Sequence, residues 1–331
     1  MTDWRIPAEL RAAYQGCRGV AAAHGRSYYL ATSLLPAARR PHVWALYAFA
    51  RTADELVDNP VEDPQVALPA WRDHALAALA ADAPPALRAD APADELVLAA
   101  TWHTRRVLDL PLTHFERFLR SMVMDLTVDC YPTWEDLRGY MSGSAAVIGE
   151  MMAPLLGARD PSALPRAATL GEAFQHTNFV RDIAEDRRRG RTYLPLDSLA
   201  THGVSVAELD RCTERGRVSP AVRRLVAAEV DRAYALYETA RPGLRQVDLG
   251  ARTCLRVAFE LYRGILDEIV AARYDVFGGR VVVPRARRAL VVATALSPSS
   301  WGRELGAPQR THDAVEASTS AKPKPTSSTG A

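Results

Sequence analysis

The chain is expected to be all-α, and three observations carry that expectation. Apolar residues recur at helical spacing through most of the sequence, strand signals are nearly absent, and the composition is rich in Leu, Ala, Glu and Arg. The only β-like run is VVVP, residues 281 to 284. With 331 residues, 48% apolar and 24% charged, the chain has ample material for a buried core. A net charge of +2, with basic residues scattered among nearly as many acidic ones, excludes the basic stripe of a nucleic-acid binder.

The elements follow in order. Pro41 to Asp58, Glu95 to Asp109 and Thr113 to about Asp129 each read as a helix bounded by Pro, Asn or Thr. YPTWEDLRGY starts another, with Thr133 as N-cap and acids in the first turn. DPSALPRAATLGEAFQHTNFVRDIAEDRRRG reads as one helix, capped by Ser162 and stopped by Gly190. Two more cover about 220 to 240 and 251 to 273. ADAPPALRADAPADE, residues 81 to 95, is a surface loop. ALVVATALSP is either a last packed helix or a segment resting on a membrane surface. Residues 1–295 are expected to form one helical domain, and the polar, Pro-rich stretch 296–331 a disordered tail.

Cys17, Cys130, Cys212 and Cys254 are far apart and form no C-x-x-C pair, which argues against a zinc site or disulfide framework. The N-terminus lacks a signal-peptide pattern and no window spans a membrane, so the expected location is the cytoplasm.

Two segments echo each other chemically. ADELVD places Asp54 and Asp58 four residues apart, and RDIAED does the same with Asp182 and Asp186. The bare spacing is common; Asp90/Asp94 and Asp125/Asp129 share it. Company distinguishes the first two. Tyr47, Arg51, Asp54 and Asp58 form one stripe, and Gln175, Asn178, Asp182 and Asp186 another, each bordered by apolar residues as if facing a cavity. Four clustered carboxylates without nearby His or Cys favour Mg²⁺, with Mn²⁺ as the substitute, and Arg51 and Arg181 beside them suit a metal-bound diphosphate. The bland alternative is a pair of solvated faces with Arg51 and Asp54 in a routine i, i+3 ion pair. Among other features, the small residues of GSAAVIG are read as close helix packing, with room for a prenyl chain as the alternative. Arg187 to Arg189 are read as solvated helix-end arginines, and His24, His42, His103, His114 and His176, which lack metal-ligand spacing, as structural or surface residues.

These residues resemble the squalene and phytoene synthases, which join isoprenoid diphosphates head to head. The resemblance runs from about His24 to Arg288. It rests on HGRSYYLATSLLP, LYAFARTADELVD, YMSGSAAVIGEMM, FQHTNFVRDIAEDRRRGRTYLP and LYRGILDEIVAARYDVFGGRVVV, with YMSGSAAVIG nearest the bacterial phytoene synthase branch. It implies an isoprenoid-synthase-type helical bundle around a central cavity. Asp54, Asp58, Asp182 and Asp186, with Asn178, would hold about two or three Mg²⁺ ions. Arg51, Tyr47, Gln175, Asn178, Arg181, Tyr262 and Arg280 would contact diphosphate or its metals, Tyr140 would border the reacting carbons, and Ser27 would lie near phosphate. Gly25 departs from relatives that carry a second serine there, and Glu55 replaces a frequent aspartate off the Asp54/Asp58 face.

The implied partners are prenyl diphosphates, with no nucleic acid, peripheral contact with the inner face of the membrane, and a monomer or weak homodimer. The expected reaction makes phytoene from two geranylgeranyl diphosphates through a cyclopropyl diphosphate. The absence of G-x-G-x-x-G fits a reaction without NADPH. The nearest rival uses farnesyl diphosphate to give squalene, dehydrosqualene or presqualene diphosphate. A terpene cyclase would carry a different second motif, and an inactive helical assembly protein would have lost aspartates or arginines that are all present here.

Overall fold

The computed structural model describes residues 2–24, 26–88 and 90–296, apart from the side chains of Arg26 and Ser27. The expected tail from 297 onward, Gly25 and the Ser27 hydroxyl therefore lie outside the described residues. Within them run α1 (Arg11–His24), α2 (Arg26–Thr32), α3 (Arg40–Asp58), α4 (Pro64–Ala80), α5 (Ala93–Leu108) and α6 (Leu112–Met124). Next come α7 (Trp134–Met141), a π-turn (Ser142–Ala146), α8 (Val147–Leu155), α9 (Ala163–Arg181) and α10 (Ile183–Arg188). The chain continues through α11 (Leu196–Thr201), α12 (Val206–Arg215), α13 (Pro220–Ala240), α14 (Leu249–Ala271) and α15 (Arg285–Leu296). No strand forms among the described residues; one isolated bridge joins Cys130 to Thr192. The VVVP run is extended but unpaired, because no neighbouring backbone offers it a ladder.

Two long helices position the site. In α3 the buried residues His42, Ala45, Leu46, Phe49 and Ala53 fall on one stripe, so Tyr47, Arg51, Asp54 and Asp58 are turned the other way. This inner stripe packs on α1 and α5, and Phe49 meets Phe115 edge to face at 5.3 Å. α9 is gripped by α13, α8 and α14. The α8 and α9 backbones approach closely because Gly149 and Gly171 lack a Cβ. One added at Gly149 would sit 2.0 Å from Ala167 O, and one at Gly171 2.2 Å from Ala145 O. A Cβ at Gly143 would likewise lie 2.2 Å from Ser121 Oγ. Close packing is thus served by Gly143 and Gly149, as read from GSAAVIG, while Gly149 also lines an apolar pocket, in keeping with the alternative reading. A π-turn in that same segment is a local departure of the kind often found at functional sites.

Thr133 caps α7 in a full capping box: its Oγ1 accepts from Asp136 N, and the Asp136 carboxylate accepts from Thr133 N at 3.0 Å. Two local expectations need correction. Ser162 makes no side-chain cap, since its hydroxyl instead accepts a hydrogen bond from Gln246 at 2.7 Å. The long helix through residues 163 to 188 is not continuous either. It breaks at Asp182 (φ −101°, ψ 15°), which ends α9 and starts α10, while Gly190 at φ +81° follows the stop as expected. α15 packs against α14 but leaves Leu290 and Leu296 exposed. The four cysteines are free, and among the described residues no helix is long and apolar enough to cross a membrane.

Candidate active site

The outward stripes of α3 and of α9 with α10 face one cavity of about 870 Å³. Its wall includes Tyr47, Arg51, Asp54 and Asp58 from the first stripe. From the second come Gln175, Asn178, Arg181, Asp182 and Asp186. Tyr140, Tyr262 and Arg280 complete the expected set, so every expected side chain except the undescribed Ser27 reaches the same space. A second, apolar pocket of about 120 Å³ shares Tyr28 and Ile148 with the cavity and runs on past Met152, Leu170 and Phe174. The site is therefore charged in one part and hydrocarbon in another.

Arginines neutralise the carboxylates. Arg51 donates to Asp54 at 2.6 Å and pairs as well with Glu55, so Glu55 is an anchor for Arg51 rather than a bystander. Asp58 is held by Arg189 at 2.6 Å and Arg191 at 3.2 Å. Asp182 receives Arg181 Nε at 2.7 Å and Arg280 at 3.2 Å. Arg280 also lies 3.7 Å from Glu185.

The remaining negative charge is still felt. Burial, with the neighbouring Asp58 charge, pushes the Asp54 carboxyl up to about 6 against the pull of Arg51. Burial plus the Asp182 and Glu185 charges push Asp186 to about 8, despite Arg189 and Arg191. Burial opposes charge on Arg181, yet its hydrogen bond and ion pair with Asp182 hold the guanidinium above its ordinary value.

Donor chemistry tests the fit to a metal. Among the described residues no three His, Cys, Asp or Glu side chains are drawn together tightly enough to form a ready cluster. The two aspartate pairs nevertheless line one cavity, they are oxygen donors, and Asp54 and Asp186 resist ionisation because burial and neighbouring carboxylates oppose their charge. Such a set fits a hard divalent cation.

Sequence reasoning missed several wall residues. Arg189 was read as a solvated helix-end arginine, but it crosses to Asp58, 131 positions away. Arg187 is likewise engaged, with Asp210 and Thr192; Arg188 is exposed as read, and Arg189 is exposed as well as ion-paired. Arg191 and Tyr193 lay inside the quoted GRTYLP without a role, and Asp125 was noted only as a chance Asp-x-x-x-Asp match. The histidines are structural where buried: His42 hydrogen-bonds Tyr14 and Thr104, and His176 faces Glu229.

Comparison with known proteins adds independent findings. The family model described as squalene/phytoene synthase matches residues 21–287. The chain is 33% identical over 306 residues to a 15-cis-phytoene synthase of Synechococcus elongatus, covering 88% of this chain and 95% of that one. It is 35% identical over 291 residues to a phytoene synthase of Thermus thermophilus, with the same coverages of 88% and 95%. Among solved structures, a dehydrosqualene synthase bound to a ligand superposes with a TM-score of 0.76 at 25% identity, over 87% of this chain and 96% of that one. A squalene synthase of Alicyclobacillus acidocaldarius gives 0.72 at 28%, over 82% and 97%.

Proposed function

The chain belongs to the squalene/phytoene synthase family, and from that premise we propose that it condenses two geranylgeranyl diphosphates head to head into phytoene. It is a prenyltransferase of the all-α isoprenoid-synthase fold. The observation that carries the reading is an acid-and-arginine cavity with an apolar pocket directly beside it, the two sharing Tyr28 and Ile148 as wall residues. A prenyl diphosphate has the same two-part character. Identity of 33 to 35% to phytoene synthases favours the longer substrate over farnesyl diphosphate.

The residues divide the work as follows. Asp54, Asp58, Asn178, Asp182 and Asp186 would hold Mg²⁺, which when bound supplies Lewis-acid assistance to the departing diphosphate. Once cations occupy the carboxylates, Arg51, Arg181, Arg189, Arg191 and Arg280 no longer need them as partners. Their guanidinium groups can then grip the diphosphate oxygens in forked geometry. Tyr47, Gln175 and Tyr262 complete the polar rim. Ser27 would add a hydroxyl near phosphate.

Ionisation leaves an allylic cation that water would quench. The apolar wall, including Phe118, Met122 and Ile148, excludes water, and the ring of Tyr140 offers a π face to the positive charge. The carbocation adds to a double bond of the second chain and loses a proton to close a cyclopropyl diphosphate, which ionises with release of the second diphosphate, rearranges and loses a second proton. Residues 1–295 form the synthase domain in this reading. The enzyme works in the cytoplasm as a monomer or weak homodimer, meets the membrane only peripherally and does not call on NADPH.

The test is incubation of purified protein with Mg²⁺ and either geranylgeranyl or farnesyl diphosphate, with and without NADPH, followed by mass spectrometry of the hydrocarbon. Phytoene from the longer substrate is expected. A thirty-carbon product from the shorter one alone would overturn the choice of substrate. The margin is small: five extra carbons contribute roughly 4 kcal/mol at about 0.8 kcal/mol each, so few pocket residues decide it.

A further inference from the structure

One part of the cavity wall is a box of aromatic rings. Phe179 stacks on Tyr193 with centroids 4.1 Å apart, Tyr140 lies 5.9 Å from Tyr193, and Tyr131 lies 5.3 Å from Tyr140. Tyr140, Phe179 and Tyr193 line the cavity, and so does Asp125. The Asp125 carboxylate accepts the Tyr140 phenol at 2.7 Å and the Tyr193 phenol at 3.2 Å. Arg191 ties this group to the carboxylate wall. One of its nitrogens reaches Asp58 at 3.2 Å and the Tyr193 hydroxyl at 3.4 Å, and another reaches the Asp125 carbonyl at 3.3 Å.

A carboxylate withdrawn from water is costly, and fold stability alone would be served as well by a hydrocarbon side chain of similar size. Its hydrogen bonds here come from two phenols, and that choice has an electronic consequence. A charge-assisted O–H···O⁻ bond shifts electron density from the acceptor into the donor phenol. The ring face of that phenol then attracts a cation more strongly, most of all in a site emptied of water. The same bonds fix the rotation of both rings.

We propose that Asp125 is a positioning residue that, through Tyr140 and Tyr193, holds an electron-rich aromatic face against the carbocation formed in this cavity. The inference rests on the reading of the cavity as a site of prenyl diphosphate ionisation. Through Arg191, the same face is held in register with Asp58, so the place where diphosphate leaves and the place where the cation is cradled are set by one hydrogen-bonded chain.

The experiment uses the full-length protein with Mg²⁺ and geranylgeranyl diphosphate. It reads kcat, KM and the partition of consumed substrate among hydrocarbon, cyclopropyl diphosphate and prenyl alcohol. Asp125→Asn keeps shape and loses the charge. KM is expected to stay within about twofold, and hydrocarbon turnover to fall roughly 10- to 30-fold, the scale of weakening a desolvated cation–π contact. The share of early-quenched products should rise. Tyr193→Phe should shift the partition the same way by less, and should add little when combined with Asp125→Asn, because both remove one interaction. A slower enzyme with the wild-type partition would overturn the proposal, as would independent, multiplicative effects in the double variant. If Asp125→Asn fails to melt cooperatively, Tyr193→Phe carries the same partition test alone. Absence of any hydrocarbon from the wild-type protein would instead refute the parent reading, so the two failures are distinct.

Discussion

Helix α3 buries a histidine kept neutral, His42, twelve residues before Asp54; helix α9 buries a second histidine, His176, against a carboxylate, six residues before Asp182. His42 is fully buried and shares a hydrogen-bond cluster with Tyr14, Thr104 and His103. His176, equally buried, faces Glu229 at 3.0 Å, and Glu229 also accepts from Ser198 while Arg232 lies 3.7 Å away. Burial works against the Glu229 charge, yet His176, Ser198 and Arg232 together hold its carboxyl below the ordinary value. The cavity faces differ too. α3 is unbroken, whereas the second wall breaks at Asp182; each wall still has a local arginine, Arg51 on Asp54 or Arg181 on Asp182, and a distant one, Arg189 on Asp58 or Arg280 on Asp182. One Asp-x-x-x-Asp spacing is thus presented by two unlike backbones, one a continuous helix and one broken at its first acid.

The most severe way to break the comparison is to remove one acid from each wall. Asp54→Asn and Asp182→Asn are each expected to lower turnover by about 10³-fold or more, the scale of losing a main charge-stabilising group, with helicity by circular dichroism unchanged. Near-normal activity in either would contradict its place among the cation ligands. A weaker effect is expected from the arginines that serve each wall. Arg189→Ala, on Asp58, and Arg280→Ala, on Asp182, should each raise KM about tenfold for a prenyl diphosphate, close to the value of one charged hydrogen bond. An unchanged KM in Arg189→Ala would restore the reading of Arg189 as a solvated helix end.

The second wall also depends on backbone contact. Gly171→Ala should cost about 1–3 kcal/mol, seen as a lower Tm, because its Cβ would meet the Ala145 carbonyl at 2.2 Å and force α9 off the π-turn. Gly139→Ala serves as the control and should leave Tm unchanged or slightly raised, having nothing within 4 Å of the added atom.

What the sequence made legible follows the same division. Asp54, Asp58, Tyr47 and Arg51 could be read together because one unbroken helix carries them at fixed spacing. The pairing of Arg189 with Asp58 could not, since an arginine in the last turn of a helix has the same local pattern whether it meets water or an acid 131 residues away. The break at Asp182 was equally hidden, because no Gly or Pro marks it. Asp125 shows why pattern alone misleads. Its partners in the match, four residues on, were irrelevant, and its meaning lies in the phenols of Tyr140 and Tyr193, 15 and 68 positions away. The overall helical fold needed none of these long-range contacts to be recognised, because amphipathic periodicity is local.

The mildest test returns to the two buried histidines and uses pH. Burial pushes His42 down to about 4, helped by the nearby His103, and His103 is itself lowered, again mainly by burial. An unfolded histidine takes up a proton near pH 6.5. Between pH 6.5 and about 4 the unfolded chain therefore binds more protons at this position than the folded one, and stability rises with pH across that window. The contribution is complete above pH 6.5 and is lost as pH falls toward 4, at a rate of at most about 1.4 kcal/mol per pH unit. His42→Gln, which keeps a hydrogen-bonding side chain without titrating, should flatten this part of the stability curve in urea melts between pH 4.5 and 6.5 relative to wild type. His176→Gln should lower stability most at neutral pH and less as pH falls, because it strands the buried Glu229 carboxylate, which protonation relieves. A loss of the same size at every pH in His176→Gln would mean that Glu229 does not depend on His176 for its charge.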